Sequence, residues 1–171
     1  SWLLQTTGEV PRRHRRALGE RIYGCDDCQE VCPAGNGQAV GNSGAEPDPG
    51  GWLPLEFLLG ATDEELLDRV GAWYIPARDP RYVRRNALVV LGNSDAAHDA
   101  ALMGLLSGWL RCGDDMLVEH AAWAARALGR EDLLTAPEVA VNPVVVAEMA
   151  RPHPDSVLSL AVTSEPRQTG R

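Results

Sequence analysis

Aromatic residues are scarce in this chain, with one Phe and three Tyr among 171 residues. That is too few to fill a β-sandwich, so the interior must be aliphatic and Trp-based, which favours helices with Ala and Leu faces. Long apolar runs are also missing. No stretch of about 18 residues is free of polar interruption, which argues against a helical membrane span, and no secretory hydrophobic region opens the chain. A formal net charge of −8 argues against indiscriminate nucleic-acid binding and leaves room only for a local basic patch. The chain opens on Ser1-Trp2 instead of Met, which reads as an internal stretch of a longer protein. Cysteines number four, but three crowd into eight residues and Cys112 stands alone in a helical pattern, so a secreted disulfide framework is not expected. A reducing, cytoplasmic setting fits better. At this length, with 44% hydrophobic residues, one ordinary domain or two small ones can form.

The clustered cysteines sit in Gly24-Cys25-Asp26-Asp27-Cys28-Gln29-Glu30-Val31-Cys32-Pro33, a C-x2-C-x3-C-P spacing. Iron-sulfur clusters need such a loop, because soft sulfurs must converge on one core while proline turns the backbone away. Two other readings stay open: zinc, with His14 recruited as a further ligand, or a redox pair of Cys25 and Cys28, although no thioredoxin-like pattern surrounds them. The bacterial ferredoxin run has a further cysteine where Ile22 stands, so three sulfurs leave a cubane incomplete. Asp26 and Asp27 place negative charge beside any cluster and would oppose its reduction.

Upstream of the loop, Arg12, Arg13, His14, Arg15 and Arg16 follow Pro11. They read either as a solvated helix start or as a phosphate contact site. Downstream, 37–51 is rich in Gly, Pro, Asn and Ser and reads as a flexible linker. Thr62 with Glu65 forms a capping-box signature for a helix through Val70. Trp73 and Tyr74 are core or base-stacking residues. From Arg81, apolar positions Val83, Ala87, Leu88 and Leu91 predict a helix ending near Gly92-Asn93. Asp95 is the expected cap of a second helix using Leu102, Leu106 and Leu110, and Asp114-Asp115 opens a third that stops at Gly129. Val83–Leu88 and Val118–Trp123 resemble each other at a 35-residue offset, suited to a helix-hairpin repeat. Arg84 and Arg85 open the first repeat helix and extend the expected RNA track; Glu119-His120 at the matching place ends it. Cys112 reads as a small buried hydrophobe, and His98, His120 and His153 as helix-surface or tail positions. Beyond Gly129 prolines interrupt the pattern, apart from a short helix after Pro143.

The stretch Gly19-Glu20-Arg21-Ile22-Tyr23-Gly24-Cys25-Asp26-Asp27-Cys28-Gln29-Glu30-Val31-Cys32-Pro33 resembles the second ferredoxin-like motif of the epoxyqueuosine reductase family. Arg84-Arg85-Asn86-Ala87-Leu88-Val89-Val90-Leu91-Gly92-Asn93 resembles that family's first HEAT-like helix, and Ser1-Trp2-Leu3-Leu4 the segment after its preceding cluster cysteine. The resemblance implies an oxidoreductase with two [4Fe-4S] clusters and cobalamin that reduces epoxyqueuosine to queuosine at the tRNA wobble position. Cys25 and Cys28 would bind the second cluster and Cys32 the first. Ser1 would touch cobalamin, and no catalytic residue would lie in this stretch. Ala34-Gly35-Asn36 departs from the family's Trp-Asn pair, leaving Trp52 as a replacement aromatic cover.

The expected architecture is mostly α: residues 1–36 as part of a double-cluster ferredoxin-like domain, 37–51 as linker, 52–135 as a small HEAT-like α-helical repeat domain, and 136–171 as an irregular, largely disordered tail. The expected partners are a tRNA anticodon arm, held by Arg12, Arg13, Arg15, Arg16, Arg84 and Arg85, and an electron donor, with no membrane and a monomeric state. An iron-sulfur electron-transfer protein with another acceptor, or a non-catalytic interaction module, are the other classes that the sequence allows.

Overall fold

The computed structural model describes residues 2–24 and 53–156, and among these it is helical, without a strand. Two short helices come first, α1 (Trp2–Gln5) and α2 (Arg12–Leu18). After the cysteine segment follow α3 (Leu55–Gly60) and α4 (Asp63–Arg69). The longest elements are α5 (Arg81–Asn93) and α7 (Asp115–Ala127), with α6 (Ala100–Trp109) between them in sequence. Two further short helices, α8 (Pro137–Ala140) and α9 (Pro143–Met149), close the described chain.

Local chemistry accounts for these boundaries. Thr62 accepts the Glu65 N–H while the Glu65 carboxylate accepts the Thr62 N–H at 2.9 Å, so the expected capping box forms at the start of α4. Asp114 caps α7 through the Leu117 N–H at 3.0 Å, as its position predicts. The cap of α6 is Asp99, not Asp95: residues Ala96–His98 first make a 3-10 turn, and Asp99 then accepts from Leu102. Pro137 and Pro143 each stand in the first turn of a helix, where a missing N–H leaves no bond unmade.

The packing centres on α5 against α7, with α3 and α2 on α5 and α9 on α7. Gly92 is the point of closest approach: a side chain there would meet the Trp123 ring at 2.5 Å and the Ala124 Cα at 3.0 Å. One hydrophobic cluster joins Leu4, Val10 and Leu18 to Leu88, Leu91, Val118 and Trp123, and continues through Leu134, Val139 and Val145. This corrects the domain division on two counts. The described part of 1–36 shares its core with the helical domain, with Leu4, Val10 and Leu18 in the same hydrophobic cluster as Leu88 and Trp123. Residues 136–156 are likewise packed structure, with Val139 and Val145 each 1% exposed. The linker 37–51 and residues 157–171 lie outside the described residues.

Two single-residue expectations change as well. His120 is fully buried in α7 instead of lying on a helix surface, and Cys112 is exposed after α6 instead of buried. No described helix is long and apolar enough to cross a membrane.

Candidate functional site

Two segments that precede the cysteines, at Leu4 and at Ile22, are fastened to the first half of α5. Asn86 donates from Nδ2 both to the Leu4 carbonyl at 2.8 Å and to the Ile22 carbonyl at 2.9 Å, so one carboxamide ties two segments together. Arg85, fully buried, points its guanidinium at the carbonyls of Leu3, Leu4, Thr6 and Gly8 and at Asn86 Oδ1. Carbonyls in a non-helical turn need partners once buried, and a planar fork of N–H donors can serve several of them. Burial pushes the Arg85 guanidinium down to about 10, still cationic at neutral pH, with the nearby Arg15 charge acting in the same direction. Among the described residues no carboxylate is a hydrogen-bond partner of it. Seven residues further along α5, Asn93 repeats the device on the carbonyls of Arg15 (2.8 Å) and Gly19 (3.0 Å).

The matched position on α7 grips the same segment by other chemistry. His120 Nε2 lies 3.1 Å from the Val10 N–H and Nδ1 lies 2.7 Å from the Met116 carbonyl, so the ring must carry its proton on Nδ1 and accept at Nε2. Burial first, then the neighbouring Arg15 cation, push its pKa down to about 3. It is a neutral strut.

Behind these contacts lies an ionic network. Glu148, on α9, has no solvent exposure and accepts from Arg12 (2.9 Å) and Arg126 (3.3 Å), with Arg151 at 3.4 Å. Glu119 accepts from Arg15 (3.0 Å) and Arg151 (2.7 Å). Burial alone would raise Glu119, but the Arg15 charge and a hydrogen bond with Glu9 hold it well below the usual carboxylate range. Glu9 in turn is raised, by that hydrogen bond and by the Glu119 charge. Arg16 joins from α2, donating to the Gly92 and Ala127 carbonyls at the ends of α5 and α7, where a cation meets the negative end of the helix dipole.

These placements decide what the six expected phosphate-binding arginines do. Arg12, Arg15, Arg16, Arg84 and Arg85 all donate to acceptors within the chain. Arg84 is 4% exposed, bonds the Ala61 carbonyl and Asp63, and lies over the Trp109 ring at 5.1 Å. Of the six, Arg13 alone faces solvent, 3.1 Å from His14. The continuous basic track expected from the sequence is therefore absent from the described surface. Its arginines are buried because helix C-terminal carbonyls and two buried glutamates take up their donors. The charge run that suggested a track carried no sign of those distant acceptors. Glu148 and His120 were missed for the same reason.

Cys25, Cys28 and Cys32, together with Ser1, Asp26, Asp27 and Trp52, lie outside the described residues. Among the described residues no group of three or more His, Cys, Asp or Glu could hold a metal ion. Where the described chain meets that segment, at Gly24 and Leu53, there is a cavity of about 560 Å³ lined by Ile22, Tyr23, Leu53, Leu55, Leu58 and Trp73 among others. Tyr23 stacks on Trp73 with centroids 4.7 Å apart and accepts the Tyr74 N–H on its hydroxyl at 2.7 Å. Trp73 is thus engaged within the protein, whereas Tyr74 remains 66% exposed.

The described residues define a helical domain built around a central helix pair. Relatives of this chain include epoxyqueuosine reductases. The enzyme of that name from Bacillus cereus is 33% identical over 145 residues, which cover 83% of this chain and 37% of that protein. The structure of epoxyqueuosine reductase from Bacillus subtilis superposes with a TM-score of 0.67 at 26% identity, over 94% of this chain and 43% of that one. An epoxyqueuosine reductase crystallised with an epoxyqueuosine-modified tRNA-Tyr stem loop gives 0.61 at 27% identity, over 98% and 39%. The chain therefore spans about two fifths of the length of the relatives it matches. No protein-family model matches it.

Proposed function

We propose that this chain is the cysteine-loop and helical-domain part of an epoxyqueuosine reductase, an oxidoreductase that converts epoxyqueuosine to queuosine in tRNA. The observation that carries the reading is the agreement of sequence and fold with those reductases over most of the chain. Cys25 and Cys28 would ligate one [4Fe-4S] cluster and Cys32 a second, with Ser1 against cobalamin. When bound, the clusters supply one-electron transfer and cobalamin the reducing centre. The described residues suit such a site in two ways. A largely apolar cavity adjoins Gly24, and the buried Arg85 cation, with no carboxylate partner among the described residues, stands on the segment that resembles the flank of a cluster cysteine. The chain's own work in the reaction is to hold the loop in register, exclude solvent and present the helical domain.

A tRNA anticodon arm is the partner, supported by the relative that holds a modified tRNA stem loop. With the other five arginines engaged internally, Arg13 is left for phosphate contact and exposed Tyr74 for stacking on a base. An electron donor completes the cycle in a monomeric, cytoplasmic enzyme. Anaerobic purification of the full-length protein, with iron, sulfide and cobalamin assays followed by turnover of epoxyqueuosine-containing tRNA, tests the proposal. Brown, iron-loaded protein that forms queuosine is expected. Colourless, iron-free protein would overturn it, and iron-loaded protein without turnover would favour electron transfer to another acceptor.

A further inference from the structure

We infer that Arg78 is a positioning residue for RNA recognition: its guanidinium closes the loop that presents Tyr74 to an unpaired base, and is not itself a phosphate contact. The inference rests on the reading above, in which Tyr74 stacks on a base, and names what holds that side chain out. Three observations carry it. Arg78 donates from Nη1 to the Gly71 carbonyl and from Nη2 to the Leu67 carbonyl, each at 3.2 Å, which staples the far end of the loop back to the last turn of α4 and the residues just after it. Tyr74 lies midway along the segment so closed. Its neighbours in that segment are engaged within the protein: Trp73 stacks on Tyr23, Ile75 is 6% exposed and Pro76 is buried. The Tyr74 N–H is held by the Tyr23 hydroxyl at 2.7 Å, so the backbone is pinned while the residue stays 66% exposed.

The third observation is that the loop closes at a cost. Ala77 and Arg78 have φ of 53° and 54°, and among the described residues they are the only non-glycine residues at positive φ. Left-handed backbone is unfavourable for residues with a Cβ, and two in succession persist only where the surroundings over-determine them. Here Ile75 and Pro76 are buried on one side, Asp79 accepts the Arg81 N–H at 3.0 Å on the other, and the Arg78 guanidinium spans the loop. Strain beside an exposed aromatic on pinned backbone fits a preset contact surface, because a ring held in place beforehand loses little freedom when a base stacks on it. Phosphate contact by Arg78 would draw on donors that already serve carbonyls at the negative end of α4, and would open the loop.

The experiment measures binding of an anticodon stem-loop RNA to the full-length protein across a range of salt, with a fully paired duplex of the stem as the phosphate-only control. Wild type is compared with Tyr74→Ala, Arg78→Ala, Arg78→Lys and the double variant Tyr74→Ala with Arg78→Ala. Tyr74→Ala is expected to weaken stem-loop binding about tenfold, the worth of one base stack, and duplex binding by much less. Arg78→Ala should cost about threefold, the size of the ordering that the staple supplies, and Arg78→Lys should cost as much because an ammonium lacks the planar fork. Arg78→Ala should add nothing to Tyr74→Ala, keep the salt slope of wild type, and in turnover raise KM without lowering kcat. Should Arg78→Ala not fold, Arg78→Lys carries the same double-variant comparison. Recovery of affinity in Arg78→Lys, a shallower salt slope, or an Arg78→Ala loss that persists in full beside Tyr74→Ala would overturn the inference, as would wild-type affinity in Tyr74→Ala. A wild-type protein that binds no stem loop would instead defeat the functional reading, and the inference with it.

Discussion

Two regions of the molecule bury arginine in opposite ways. Between α2, α7 and α9, the guanidinium groups of Arg12, Arg15 and Arg126 meet the carboxylates of Glu119 and Glu148 and largely cancel. At the start of α5, Arg85 meets carbonyls and an amide, with no hydrogen-bonded anion among the described residues. The first arrangement ties α2 and α9 to α7. The second holds carbonyls of the short α1 and of the bend after it, at Leu3, Leu4, Thr6 and Gly8. The chain uses arginine for every one of its basic side chains, lysine being absent, and both arrangements depend on the planar fork that lysine lacks.

The largest effect should come from breaking the compensated set. Glu148→Ala leaves Arg12 and Arg126 facing each other without their shared anion, and is expected to destabilise the fold by about 3–5 kcal/mol in chemical denaturation. A loss below about 1 kcal/mol would show that water enters and that the network is not closed. Arg85→Lys probes the other region. It keeps the charge and removes the fork, leaving buried carbonyls unpaired, with an expected cost of about 2 kcal/mol by the same measurement. A cost as large as that of Glu148→Ala would erase the distinction drawn between charge pairing and carbonyl bracing.

Acid sharpens the comparison further. His120 has its folded pKa lowered from 6.5 to about 3, so between those values the unfolded chain binds the extra proton and stability falls as pH falls. From this group alone the slope is about 1.4 kcal/mol per pH unit within that window. Glu119 acts through its own depressed value, contributing stability that is full above about 4.5 and lost below it. Wild type should therefore begin to lose stability near pH 6, whereas His120→Gln should stay flat until about pH 4.5, as followed by urea midpoints across pH. Coincident profiles would remove His120 from the account.

Much of the helical framework was legible in the sequence. The apolar spacing of α5 and α7, the Thr62–Glu65 box and the Asp114 cap are local patterns, and local patterns are what a sequence displays directly. The contacts around α5 were not legible, because Asn86 meets Leu4 and Ile22 across 82 and 64 residues, and the expected cysteine ligands lie outside the described residues. The arginines misled for a related reason: a run such as Arg12 to Arg16 resembles a solvated or phosphate-binding face unless its acceptors are known, and Glu148 lies 136 residues away. That glutamate also explains why 136–156 reads as tail and yet packs. The segment has little periodicity, and Arg12 and Arg126 hold it through Glu148 alongside the buried Val139 and Val145.

The Arg12–Glu148 pair has a consequence for the order in which the protein can be made. A link spanning 136 residues closes only after nearly all of the described chain has left the ribosome, and contacts of such long range are slow to form. The turn of α2 that carries Arg12 is thus among the last parts of the described chain to be fully secured, and it is α9 that secures it.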